Sequence, residues 1–310
     1  MKIERIHKQL LSSRLLLFTI VFAFIVTRLY YIHNQWDNTI LLSCLLIQIG
    51  IAFFLLQLNH IFNIIQERTF LPASFYLLFA GCYPDFCYDI KGSVAALCVV
   101  LCCYFLFKSY QKPKSQAYAM NISLLLVLGS LFWTPLLLFF PIIWIGFYHF
   151  QSLNARVFFA SLTGFIIVYL FIFTWSLYQG DKNIFLSFLP QIPTLFVIHK
   201  PDLTLFEWLT CGFLLFIYLM IGINLFFFNI SERRWVIAIL SYFFVSSFII
   251  FIFLLLQNEY KSSWGLIIYI PITFLMSHFF SRTNNRGIQY LLILFFLFFV
   301  GIGIIQHVSP

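Results

Sequence analysis

The chain has 310 residues, of which 62% are hydrophobic and only 9% are charged. A soluble domain carries about 25% charged residues, so this composition excludes a water-soluble globular fold and makes lipid the main solvent. The net charge of +8 would favour nucleic-acid binding in a soluble protein. Here the basic residues lie in short segments between apolar runs, so membrane topology explains them and we expect no nucleic-acid partner.

The apolar runs predict an all-α fold, a polytopic transmembrane helix bundle of about 10–11 helices that forms a single transmembrane domain over residues 1–310. Segment 1–14 is basic and leads into an apolar run without a small-residue cleavage site, so we expect an uncleaved first helix with a cytoplasmic N-terminus. In chain order, the candidate spans are 15–32, 39–64, 70–88, 92–108, 121–150, 157–178, 205–229, 235–256, 264–280 and 288–306.

The run 121–150 is too long for one upright helix, and Thr134-Pro135 interrupts it. Because proline removes a helical hydrogen bond, we predict a Pro-broken pair of short helices, either two short spans or a re-entrant hairpin. This division also gives the best charge bias: 13 of the 18 basic residues then lie on the cytoplasmic side and 5 outside. The longest predicted outer loop is 179–204, which is either a connector or an interfacial lid.

Acidic residues concentrate on the predicted outer side. Among them, Asp37, Asp85 and Asp89 are candidate catalytic residues, and Arg28 at the outer end of the first helix is a candidate substrate-binding residue. Asp85 follows a proline at the end of an apolar helix, where a carboxylate is costly unless it reaches water or a partner. The alternative is structural: Arg28 pairs with Asp85, and the loops simply hold whatever charge the chain has.

The second predicted helix carries a polar stripe of Gln48, Asn59, Asn63 and Gln66, which fall on one side at 100° per residue. Such a stripe faces protein or water, so it indicates either interhelical hydrogen bonds or a substrate groove, with Gln48 and Asn59 as candidate substrate-binding residues. The centres of the predicted spans contain no Lys, Arg, Asp or Glu, which argues against ion-coupled transport.

The known short motifs of hydrolases, metalloproteases and nucleotide-binding loops are absent from the sequence. The cysteines lie mostly inside apolar runs without neighbouring His ligands, so we predict no metal site, and the sequence leaves the cofactor unknown. Cys82 and Cys87 lie near a predicted outer end, close enough in sequence for a disulfide.

Six short pieces of the sequence stand in a recognisable order and spacing. They are Gln57-Leu58-Asn59-His60-Ile61, Glu67-Arg68-Thr69-Phe70-Leu71-Pro72-Ala73, Tyr83-Pro84, Phe132-Trp133-Thr134-Pro135, Asn154-Ala155-Arg156 with Gly164, and Pro271 with Phe279-Phe280-Ser281-Arg282. Together these pieces resemble a family of polytopic inner-membrane proteins of Bacteroidota that is described as a domain of unknown function. The resemblance implies an inner-membrane location in a Gram-negative cell and carries over no catalytic residue.

The general layout is also similar to membrane glycosyltransferases that use polyprenyl-phosphate sugars, which carry an acidic residue in the first outer loop. The similarity implies that Asp37 acts as a base or metal ligand. The outer loop here, at 33–38, is shorter than that family's pattern. Three functions therefore stay open: an enzyme of lipid-linked glycans, a scaffold of an envelope complex, and a carrier of a lipid or solute without ion coupling. Their shared partner is the lipid bilayer, and the first adds a polyprenyl-linked or other lipid substrate.

Overall fold

The structure is a computed structural model, and it describes residues 38–65, 69–112, 114–180, 234–257 and 261–282, with 212, 215, 218–222 and 301. These residues contain helices and no strand, which confirms the all-α prediction. The helices are α1 Asn38–Phe62, α2 Leu71–Cys82, a 3-10 helix Pro84–Cys87, α3 Ile90–Lys108, α4 Gln116–Phe132, a 3-10 helix Thr134–Leu138, α5 Phe139–His149, α6 Ala155–Gln179, α7 Arg234–Leu256 and α8 Lys261–Arg282.

Five helices, namely α1, α3, α6, α7 and α8, are long and apolar enough to cross a membrane. The protein is therefore a multi-pass membrane protein. Segment 1–14, the spans 15–32 and 288–306, and most of 205–229 lie outside the described residues, so the total number of crossings stays a prediction. So does the loop 179–204, of which only the C-terminal residue of α6 and Gly180 are described.

The described residues divide into two compact units. In the first unit, α2 runs antiparallel to α8, because Phe75 near the start of α2 contacts Phe280 near the end of α8, with ring centroids 5.9 Å apart. Further along, Phe79 stacks on Tyr269 at 4.5 Å. Nearly all of α2 is buried, and so is every residue in the most apolar window of α8. These two helices therefore form the centre of the unit.

The first unit has two ends, which lie about one length of α8 apart. Its apolar stretch Ser262–Ser281 has 20 residues, which at 1.5 Å per residue is about 30 Å, close to the thickness of the hydrocarbon core. The turn after α2, which contains Asp85 and Asp89, lies at the start of α8. The segment before α2, which contains Thr69 and Phe70, lies at its other end.

The second unit comprises the described residues from Val94 to Gly180. Here α4 and α6 are parallel neighbours, because Ser123 lies against Gly164 and, further along both helices, Val127 packs with Val168. The short α5 runs back between their ends, with Trp144 donating a hydrogen bond to Ser161 at 3.1 Å. The chain from α4 to α5 therefore forms a hairpin, which begins and ends on the same side of the second unit.

This hairpin confirms the predicted division of 121–150, although α4 begins at Gln116, before the expected boundary. The helix ends at Phe132, Trp133 is extended, and the 3-10 helix Thr134–Leu138 holds Pro135 in its first turn, where its missing N–H costs least. With 17 residues, α4 is about 26 Å long, somewhat shorter than the hydrocarbon core. Whether the pair fully crosses stays a prediction.

Candidate functional site

The predicted acidic residues lie on the turn between α2 and α3. Asp85 belongs to the 3-10 helix Pro84–Cys87 and is exposed, whereas Asp89 is half-buried immediately before α3. Arg28 and Asp37 lie outside the described residues, so their predicted gathering with Asp85 and Asp89 stays a prediction.

Asp89 joins the beginnings of two helices. Its Oδ1 accepts a hydrogen bond from the backbone N–H of Gly92 at 2.7 Å, as a helix N-cap does. Its Oδ2 accepts from the hydroxyls of Ser262 at 2.8 Å and Ser263 at 2.6 Å, in the first turn of α8. Negative charge is favourable at a helix N-terminus, and here it serves two. This geometry gives Asp89 a structural role that the sequence pattern did not reveal.

Gly92 allows this close approach. A Cβ at this position would collide with the Asp89 carboxylate and would lie 2.7 Å from the Ser263 Cα, below any ordinary van der Waals contact. The contact was foreseeable only in part: Ser262 and Ser263 precede an apolar run, which is typical of a helix start, but the sequence does not say which carboxylate they meet.

Gln48 is fully buried in α1 and ties that helix to the same turn. Its Nε2 donates to the carbonyl oxygen of Phe86 at 2.9 Å and to Ser93 Oγ at 3.3 Å. Both acceptors belong to the segment that carries Asp89. Of the two explanations for the polar stripe, the geometry at Gln48 matches the interhelical hydrogen bond.

Asn59, the other candidate on α1, has a different environment. The helix ends at Phe62, and Asn63 adopts a left-handed conformation with φ 45°, so the stripe leaves the helix there. Asn59 is 6% exposed, and its Oδ1 accepts the backbone N–H of Ile65 at 3.0 Å, which closes the turn after the helix. Gln66 lies outside the described residues.

A cavity of about 600 Å³ opens at this end of α1, within the range of about 300–1,000 Å³ typical of ligand pockets. We call it the α1-end cavity. Its lining combines amides, an imidazole and a hydroxyl with apolar side chains. The lining residues are Phe53, Leu56, Gln57, Asn59, His60, Ile61, Asn63, Ile65, Thr69 and Phe70.

Two polar groups of the cavity wall lack hydrogen-bond partners among the described residues. Thr69 is 4% exposed, and its hydroxyl has no hydrogen-bond partner among the described residues. The Nδ2 of Asn59 likewise donates to nothing in the described part of the chain, while its Oδ1 is held by Ile65. Buried polar groups are normally satisfied. The Thr69 hydroxyl is fully enclosed, so of these two groups only the Asn59 amide nitrogen can reach a ligand in the cavity.

A second cavity, of about 160 Å³, lies beside α7 and α8 and differs in chemistry. Its wall is apolar apart from Tyr218 and Ser247. Both of their hydroxyls donate to the carbonyl oxygen of Phe244, at 2.5 and 2.9 Å. With these hydroxyls already engaged, this cavity offers shape and apolar surface only. The α1-end cavity is therefore the better candidate site.

The described residues contain no group of His, Cys, Asp and Glu side chains that could hold a metal ion. Cys82 and Cys87 are both buried thiols, so the disulfide considered from the sequence is absent. Compared with models of protein families, with curated proteins and with solved structures, the chain matches none.

Proposed function

We propose that this membrane protein binds a lipid or lipid-linked substrate whose head group enters the α1-end cavity. The polar stripe that includes Asn59 suggests a lipid or solute, whereas the polyprenyl-linked glycan is the substrate suggested for the predicted outer face. The observation that carries the proposal is the mixed wall of the cavity, where polar groups such as Asn59 and His60 alternate with apolar ones such as Phe53 and Phe70. Ligand sites combine apolar surface with a few polar groups in this way.

The position of the cavity supports the same proposal. It lies at one end of the first unit, near the level where head groups meet the hydrocarbon core. Along α1, Leu46 and Phe53 are 60% and 58% exposed, which leaves an apolar surface leading to the cavity. A lipid tail can lie along this surface while its head group occupies the cavity, so both parts of an amphiphile find a matching environment.

Photo-crosslinking tests the proposal. A benzophenone amino acid replaces Gln57, which is exposed and lines the cavity. The matched control replaces Phe171, which is exposed on the membrane-spanning helix α6 and lines no part of the cavity. After illumination in native membranes, we expect the Gln57 variant to form adducts enriched in one lipid class. The Phe171 variant should report the bulk membrane. Identical lipid profiles at both positions, measured by mass spectrometry, would show that the cavity selects no lipid.

The second candidate function is glycosyl transfer at the predicted outer face, with Asp37 as base or metal ligand. The exposed carboxylate of Asp85 favours it, because this group makes no side-chain hydrogen bond in the described part of the chain. Asp89, in contrast, already accepts three hydrogen bonds. Transfer from a labelled polyprenyl-phosphate sugar should fall at least about a hundredfold in Asp37→Asn and Asp85→Asn. Lys91→Gln, at an exposed position of the same end, is the control; undiminished transfer in both Asp variants would contradict this candidate.

The sidedness is part of the proposal. The predicted charge bias favours a cytoplasmic N-terminus, with the α1-end cavity on the cytoplasmic side and Asp85 outside. The resemblance to the Bacteroidota family supports an inner-membrane location.

A further inference from the structure

The orientation of the Asn59 amide carries information about the ligand. An amide oxygen and nitrogen are hard to tell apart by shape, but their partners distinguish them. The backbone N–H of Ile65 can only donate, so the atom that it contacts at 3.0 Å must be the oxygen of Asn59. The nitrogen is therefore the other end of the amide.

That nitrogen has two N–H donors and no acceptor among the described residues. It is not fully enclosed, so it keeps contact with the α1-end cavity that Asn59 lines. Asn59 as a whole is nearly buried, at 6% exposure, and its oxygen is held by Ile65, so the amide is fixed in place. The result is a fixed pair of donors at a cavity wall.

We infer that Asn59 is the specificity-determining residue of the α1-end cavity and that it selects head groups presenting an acceptor oxygen, such as an ester, phosphoester or glycosidic oxygen. The inference rests on the proposed lipid-binding function and deepens it. An amphiphile without an acceptor leaves both donors unsatisfied once water is displaced, and such a loss is what separates good from poor ligands in polar sites.

Two probes of matched shape test the inference: dodecyldimethylamine oxide, which has an acceptor oxygen, and dodecyltrimethylammonium, which has a methyl group in its place. Binding to the full-length protein in lipid nanodiscs is measured by competition with a photoreactive lipid. The wild-type protein should bind the amine oxide about tenfold more tightly, as expected for about 1.4 kcal/mol of hydrogen bonding.

The decisive variant is Asn59→Asp. It keeps an oxygen for the Ile65 N–H, so the turn after α1 remains closed, but it replaces the donors with a second acceptor. Affinity for the amine oxide should fall about tenfold or more. Gln57→Glu is the control, because it brings the same charge to the same cavity and leaves the Asn59 donors in place. That variant should bind the amine oxide as the wild type does.

The outcomes separate the two proposals. Equal amine oxide affinity in Asn59→Asp and the wild type, or an equal loss in Gln57→Glu, overturns the role of Asn59 while lipid binding stands. Failure of both probes to compete in the wild-type protein overturns lipid binding at this cavity. If Asn59→Asp does not fold, the wild-type preference between the two probes decides, and no preference overturns the inference.

Discussion

Replacing Asp89 distinguishes a structural carboxylate from a catalytic one. Asp89→Ala removes the N-cap of α3, worth about 1 kcal/mol. It also removes two hydrogen bonds from Ser262 and Ser263 to a charged group, each worth about 1.5–3 kcal/mol in general. Because Asp89 is half-buried, water can replace part of this loss. We therefore expect a destabilisation of about 3 kcal/mol.

Asp89→Asn should behave differently. Asparagine is as good an N-cap as aspartate, and the serine hydroxyls can rotate to accept from its NH₂ group. The expected loss is below about 1 kcal/mol. A catalytic carboxylate would show the opposite pattern, since Asp→Asn would abolish activity whatever its effect on stability.

The assay is thermal unfolding of the purified protein in mild detergent. Unfolding is followed by circular dichroism and by loss of the monodisperse peak in size-exclusion chromatography. About 3 kcal/mol corresponds to a fall of roughly 5–10 °C in Tm for Asp89→Ala. Asp85→Ala is the matched control, since Asp85 is exposed on the same turn, and its Tm should stay unchanged. An Asp89→Ala protein that melts with the wild type would refute the stabilising role of the junction between α3 and α8.

Two further substitutions test the packing of each unit. Gly164→Ala should lower the free energy of unfolding by about 1–3 kcal/mol, because its Cβ would collide with Ser123 Oγ and lie 2.9 Å from the carbonyl oxygen of Met120. The double variant with Ser123→Ala should recover part of this stability in the same melting assay. Gln48→Leu should cost about 1–3 kcal/mol because it leaves the buried Phe86 carbonyl without its donor, and an unchanged Tm would indicate that Gln48 serves a ligand rather than the fold.

Composition and periodicity were sufficient for the class of fold and for the break near Pro135, because hydropathy and the missing proline N–H act locally. The partner of Asp89 was not predictable, because Ser262 and Ser263 lie more than 170 residues away in sequence. The polar stripe was predicted as one surface but divides in two. Its Gln48 end meets a neighbouring turn, whereas its Asn59 end meets a cavity formed where the helix stops. Angular position on a helix fixes which side a residue faces, not what lies opposite.

The complete burial of the apolar window of α8 has a consequence for biogenesis. Its mean hydropathy is 1.5, against 2.2–2.6 for the four other long helices. A helix that is surrounded by protein can be less hydrophobic than one that is surrounded by lipid. Such a segment partitions less readily from the translocon into lipid on its own. It is also the last of these five to emerge from the ribosome, so the described helices that pack against it, α2 and α7, are already in the bilayer to receive it. Moving α8 to the front of the chain by circular permutation should therefore impair insertion more than moving α6.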